Sequence, residues 1–391
     1  MKEFYCSKTF LNRLDSYSAT TVTDGRMYSF IQTEYFSQFA TYRNPIEVQE
    51  NRTSYSDWQK KYETQIIPTP IPKQETRMKQ DIVVRVQTIE DLLSIIDANA
   101  YDPCIDYNID LKSLHVIKTE LKQLHSMIGL TTLKTNILKQ LMYFIQGFAD
   151  DPKDGDYKHT ILTGPPGTGK TEIAKILGNM YSKLGVLKKN VFRKVTRTDL
   201  VAGYLGQTAI KTRKVLDECN GGVLFIDEAY SLHTDDIYAK ECIDTLCEGL
   251  SDNKNDLMVI IAGYRADLDN TFFRINSGIR SRFIWRFDID PYTPKDLFRI
   301  FVHLATTRNW TIEDTITQKW FDSNKQYFKD NGRSMEQLFA YSKISHAQRI
   351  YGKDVSLRKT LTFDDVQDGL STYKEFGNSL KKDNISLSLY S

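Results

Sequence analysis

Ile161-Leu162-Thr163-Gly164-Pro165-Pro166-Gly167-Thr168-Gly169-Lys170-Thr171 is the stretch from which the rest of the chain can be read. Its start belongs to an apolar run, His159-Thr160-Ile161-Leu162-Thr163, that predicts a short buried strand. Beyond it Ile173, Ala174, Ile176, Leu177 and Met180 recur at helical spacing and predict an amphipathic helix. The intervening Gly164-x-x-x-x-Gly169-Lys170-Thr171 therefore stands in the strand–loop–helix setting of a phosphate-binding loop. Gly164, Gly167 and Gly169 allow the loop through Pro165, Pro166 and Thr168 to curl so that the N–H groups of its non-proline residues point inward. With the positive end of the next helix they make an anion cradle. Lys170 is placed to reach β- and γ-phosphates, and the Thr171 hydroxyl to hold Mg²⁺. The expected ligand is ATP with Mg²⁺.

The chain's 391 residues suffice for two or three domains, and 40% hydrophobic with 26% charged residues suits a globular protein. With 52 basic against 50 acidic residues, no general basic field for nucleic acid exists, although a local patch is compatible with these totals. The cysteines Cys6, Cys104, Cys219, Cys242 and Cys247 form no CxxC pair and are odd in number. They argue against a zinc site or disulfide framework and for a reducing, intracellular setting, expected to be cytoplasmic with a nuclear or organellar one as the alternative. No leader-like start and no run of membrane-spanning length is seen, so no membrane partner is expected.

Residues 1–65, rich in Tyr, Ser, Thr, Gln and Asn, show no sustained period and are expected to form an irregular N-terminal region. Residues 66–110 read as a proline-rich linker, Ile66-Ile67-Pro68-Thr69-Pro70-Ile71-Pro72, and a small strand–helix module. Its strand is expected at Ile82–Val86 and its helix after Thr88, capped with Asp91. Residues 111–290 carry the large α/β unit. Helical stripes from Leu111 to Phe148 break at Ile128-Gly129-Leu130. Beyond the phosphate loop, apolar runs at 191–195, 222–226, 257–263 and 283–287 alternate with helical segments. Such runs predict a parallel five-stranded sheet flanked by helices, with ligands at the carboxyl ends of its strands. Residues 291–375 read as a small all-helical lid. Its helices begin at Thr293-Pro294, near Trp320-Phe321, at a Ser334/Gln337 cap that leads into Leu338, Tyr341, Ile344 and Ser345, and, briefly, at Phe363. Residues 376–391 read as a tail.

Asp227-Glu228 follow Val223-Leu224-Phe225-Ile226, so two acids stand at a strand end downstream of the phosphate loop. Asp227 is placed to hold Mg²⁺ through its water shell, and Glu228 to orient and deprotonate an attacking water.

Together, GPPGTGKT, VLFIDEAYSL, AGYLGQTAIKT, VIIAGY and NSGIRSRF resemble the AAA+ ATPases, most of all their CbbX/CfxQ branch with stage V sporulation protein K. The resemblance runs from about Leu121 to Leu370. It implies hydrolysis of ATP to ADP and phosphate, a homo-oligomeric ring, usually a hexamer, and a client protein in the central pore. Arg282, in Ile279-Arg280-Ser281-Arg282-Phe283, matches an arginine finger reaching the neighbour's γ-phosphate, with Arg280 the alternative donor. Arg333 matches sensor 2 of the lid, Tyr204-Leu205-Gly206 the pore loop, and Ile128-Gly129 the segment enclosing adenine. Sensor 1 departs from the common pattern: Tyr264 stands near the position where many relatives carry Asn. The leading expectation is thus a ring motor that remodels or threads a client protein. The alternatives are a nucleic-acid motor or loader, using Lys211, Arg213 and Lys214, and a nucleotide-gated assembly scaffold.

Overall fold

A computed structural model describes residues 22–23, 26–27, 78–149, 156–204, 206–233, 236–354 and 357–387. The chain divides into two compact units, Met1–Glu75 and Thr76–Ser391. Of the first, an antiparallel pair, Val22–Thr23 with Arg26–Met27, is described. The expected proline-rich linker at 66–72 lies outside the described residues.

The second unit is built on five parallel strands: β1 (Thr160–Thr163), β2 (Phe192–Val195), β3 (Val223–Ile226), β4 (Met258–Gly263) and β5 (Trp285–Asp288), in the order β2-β3-β4-β1-β5. The three inner strands are buried along their whole length, which is why their sequences are continuous apolar runs rather than alternations. Charge is kept for the edge strands, with Arg193 and Lys194 on β2 and Arg286 and Asp288 on β5, where open backbone edges need protection.

Successive strand residues feed opposite cores. On one face Leu162, Phe225 and Ile260 pack with helices α1 (Thr131–Ile145) and α2 (Lys170–Lys183). On the other, Ile161, Leu224, Ile226 and Val259 pack with α3 (Gln207–Cys219) and α4 (Ile237–Asp252). Strand β1 lies between β4 and β5, so the order of winding reverses beside it, and the loops leaving β1, β3 and β4 open on one crevice.

The lid follows as α5 (Pro294–Thr307), a short helix Gln318–Asn324, α6 (Gly332–Ile350) and α7 (Phe363–Leu387). A capping box at Thr293–Asp296 and Pro294 in the first turn start α5 where the sequence indicated. Phe301, Phe321 and Phe339 close a small aromatic core. Below it, Asp365 accepts a two-pronged bond from Arg349 and one from His346, all tying α6 to α7.

Three local expectations fail for physical reasons. Residues 82–86 are not a strand. The Asn108 side chain takes both the N–H and the C=O of Ile82, at 2.8 and 3.0 Å, so that backbone needs no ladder. The strand of this module is instead Met78–Gln80, paired in parallel with Ile105–Tyr107. Ser334 does not cap a helix: α6 begins at Gly332, and Ser334 is buried within it. Ile344 faces outward, because Ser342 and His346 turn the inner face toward α7. The last helix is not short; it runs to Leu387.

Candidate nucleotide site

The phosphate loop is fixed on both sides at its start, before it curls. Gly164 N–H donates to Gly263 O on β4, and Ile289 N–H donates to Thr163 O. Gly164 is required by contact rather than by conformation: a Cβ there would lie 2.8 Å from the Ile289 Cβ. Gly167 and Gly169 have φ of 69° and 84°, the left-handed backbone that glycine adopts without cost. Thr168 is buried and its hydroxyl donates to Pro165 O, so it braces the loop from inside. The Lys170 ammonium donates to the carbonyls of Gly164 and Pro165 at 2.9 and 2.8 Å. Burial pushes its pKa down, Asp227 opposes that, and Arg333 adds to it.

The acidic pair sits in the turn just past β3. Asp227 N–H donates to Val195 O, continuing the ladder by one bond. Glu228 then takes φ 52°, a conformation costing a non-glycine residue about 1 kcal/mol, held by the single helical turn Ala229–Ser231. Asp227 Oδ1 accepts from the Glu228 N–H at 3.1 Å, while Oδ2 lies 2.6 Å from the Lys194 ammonium. Beside them the rings of Tyr230 and Tyr264 stack at 5.5 Å, with Lys170 over the Tyr264 ring.

From the lid, Gly332 N–H donates to Gly167 O at 3.0 Å. A Cβ on Gly167 would lie only 2.1 Å from Asp330 O, so lid and loop meet backbone to backbone. Asn331, buried, accepts from Tyr292 N–H and donates to Pro166 O, strapping the lid to the loop.

These elements enclose a cleft of about 470 Å³ lined by Pro166 to Thr171, Asp227, Glu228, Tyr230, Gly263, Tyr264 and Arg333, among others. The expected phosphate, metal and sensor residues thus converge. Thr171 and Asp227 offer hard oxygen donors, and no group of three or more His, Cys, Asp or Glu that could hold a metal occurs among the described residues. That donor set fits Mg²⁺ delivered with phosphates rather than caged by protein.

Other expected residues lie elsewhere. Ile128 lines neither this cleft nor its neighbour. Gly129 lines a second cavity, also about 470 Å³, beside Tyr292 and Asp296. The break itself is real: Gly129 and Leu130 both have positive φ, and Lys134 holds the carbonyls of His125 and Met127. It approaches the phosphate loop through Met127, whose methyl would lie 3.2 Å from a Cβ at Gly169. Arg282 donates to Ser251 Oγ and Gly278 O. Arg280 pairs with Asp269 and lies over the Phe273 ring. Neither arginine lines the cleft. Tyr204 is 73% exposed, Gly206 has φ 78° at the start of α3, and Leu205 lies outside the described residues. Asn331, Tyr230 and Lys194 were not anticipated. The Asn331-Gly332 pair, a turn signal, was the available clue to the first.

This fold and cleft define a phosphate-loop nucleotide-binding unit with a helical lid. Residues 160–290 match the ATPase family associated with various cellular activities (AAA). The chain is 35% identical over 273 residues to a putative CfxQ-like protein of Acanthamoeba polyphaga mimivirus, covering 68% of this chain and 67% of that protein. It is 36% identical to protein CbbX of Cereibacter sphaeroides over 49% of this chain and 64% of that one. With the ESX-1 secretion system protein EccA1 of Mycobacterium tuberculosis it shares 37% identity, over 52% of this chain and 37% of EccA1. The chain therefore spans just under two thirds of CbbX and little more than a third of EccA1. It belongs to the AAA ATPase family, on the branch of CfxQ and CbbX. No helix among the described residues is long and apolar enough to cross a membrane.

Proposed function

We propose that this protein is an ATP-hydrolysing ring motor that remodels or threads a client protein. The observation that carries the proposal is the convergence of Lys170, Thr171, Asp227, Glu228 and Arg333 in one cleft at the carboxyl ends of the strands. In that account the phosphate loop and Lys170 bind the phosphates, and Thr171 and Asp227 hold Mg²⁺, which would neutralise the charge on the transferring phosphoryl group. Glu228 orients the attacking water and takes its proton. Arg333, on the first turn of α6, is positioned to feel the phosphates and move with the lid. Arg282 is assigned to the active site of a neighbouring copy, in keeping with its absence from the lining of its own cleft. Tyr204 grips the client, since an exposed ring on a glycine-flanked loop offers broad apolar contact to an extended peptide.

The alternative of a nucleic-acid motor is weakened by what its basic residues do. Lys211 donates to the carbonyls of Thr198 and Val201, and Arg213 is paired with Glu248 and Asp252. Two of the three cations of that candidate patch are thus committed to partners within the chain. The deciding experiment is the ATPase rate with an unfolded protein, with DNA and with neither. Stimulation by the unfolded protein alone supports the motor, by DNA the nucleic-acid alternative, and by neither the assembly scaffold.

A further inference from the structure

Edge strand β2 presents two adjacent basic residues to opposite faces of the sheet, and each meets a different acid. Arg193 pairs with Glu218 of α3. On the other face, Lys194 is in register with Phe225, and its ammonium reaches two residues further along, just past β3, to Asp227 Oδ2, 2.6 Å away. The other oxygen of Asp227 is bonded to the Glu228 N–H, so both of its oxygens carry a donor. The Asp227 side chain is 20% exposed and that of Lys194 47%, so the carboxylate sits at the cleft and the ammonium approaches from its outer margin. Lys194 is absent from the cleft lining, which separates it from the phosphate-facing Lys170.

We propose that Lys194 is a positioning residue for Asp227: it shares that carboxylate with the divalent cation accompanying the nucleotide and so sets how much Mg²⁺ is needed to hold it. This rests on the nucleotide-site proposal above. A partly exposed ion pair contributes little to folding, so the role of Lys194 lies in competition between two cations for one anion. An ammonium, a compact point charge on a flexible stem, can stay paired with one oxygen of Asp227 or swing away as Mg²⁺ takes over. While it stays, it reduces the attraction of the site for a second cation.

The test is titration of a fluorescent ADP analogue into the full chain, first in EDTA and then across a Mg²⁺ series. The variants are Lys194→Met, of similar length without charge, Lys194→Gln as a second neutral variant, and Lys194→Arg; thermal melts in EDTA check that each is folded. The neutral variants are expected to reach half-maximal Mg²⁺-dependent binding at about threefold lower Mg²⁺ or less, the scale of removing one like charge a few ångströms away. Lys194→Arg is expected to behave as wild type, and nucleotide affinity in EDTA to be unchanged in all. An unchanged or raised Mg²⁺ midpoint in the neutral variants overturns the proposal. So does weakened binding in EDTA, which would mean that Lys194 touches phosphate. Failure of wild type to bind nucleotide under any of these conditions would instead overturn the nucleotide site itself.

Discussion

The nucleotide cleft stands in contrast to Arg280, Arg282 and Tyr204, none of which lines it. In the cleft, residues scattered from Pro166 to Arg333 meet within one chain, and the lid touches the phosphate loop backbone to backbone. Among the described residues the Arg282 side chain donates to Ser251 and Gly278, that of Arg280 meets Asp269 and Phe273, and Tyr204 is largely exposed. One region is therefore equipped to bind a small charged ligand alone. The other gains a chemical role only if something outside the chain comes to it, which is what a shared active site and a client would supply.

The sharpest way to break this contrast is Arg282→Ala. If Arg282 completes a neighbour's site, ATP binding stays near wild type while turnover falls on the order of 10³-fold, the scale of an arginine finger. Fluorescent-nucleotide titration beside phosphate release measures both. Arg280→Ala is the comparison: the larger kinetic loss identifies the donor. Equal, full activity of both variants at high dilution would remove the shared site. Within the cleft, Lys170→Ala is expected to weaken nucleotide binding about 100-fold, because a partly buried charge-assisted contact to phosphate is lost. Binding that persists in that titration would place the phosphates elsewhere.

The lid supplies a stability comparison. Burial alone would raise the pKa of Asp365, but Arg349, the Thr362 N–H and His346 outweigh it and hold it at about 2. A carboxylate depressed from roughly 3.9 stabilises the fold above pH ~4 and loses that contribution as pH falls toward ~2. Asp365→Asn is expected to cost about 2–3 kcal/mol at neutral pH, since it leaves a buried partner network uncompensated. The variant should also lose the part of the acid sensitivity between pH ~4 and ~2 that this group causes. Thermal melts across pH check both; an unchanged melting temperature at pH 7 would show that the network contributes nothing.

Tyr204→Ala should have the smallest effect on chemistry. Basal ATPase is expected to stay within about threefold, under ~1 kcal/mol in barrier, while stimulation by an unfolded protein disappears. A collapse of basal activity would make Tyr204 a structural residue of the active unit. Stimulation that survives would remove it from client contact.

Much of the sheet was legible because its inner strands are uninterrupted apolar runs, a signal that burial on both faces forces on a sequence. The phosphate loop and Asp227-Glu228 were legible because their spacing is local. What escaped needed the fold. Asn331 reaches Pro166 across 165 positions, and a lone Asn before a glycine announces a turn but not its target. Lys194 sits unremarked in the run 191–195, and only the register of β2 with β3 brings it beside Asp227. Asn108 replaced a strand at Ile82 with side-chain bonds that no periodicity can foretell. Met127 approaches the phosphate loop from a break in which Gly129 and Leu130 have consecutive positive φ, a geometry that spacing alone does not show.

On the proposed mechanism the cleft binds ATP, and Glu228 is needed to hydrolyse rather than to hold it. Glu228→Gln keeps the size and hydrogen-bonding reach of the side chain but cannot take a proton. Titrating fluorescent ATP with Mg²⁺ into this variant and following phosphate release in the same sample separates the two functions. Affinity near wild type with turnover at least ~100-fold slower is the predicted result, the scale of a lost general base. Turnover near wild type, or loss of ATP binding along with it, would contradict the account.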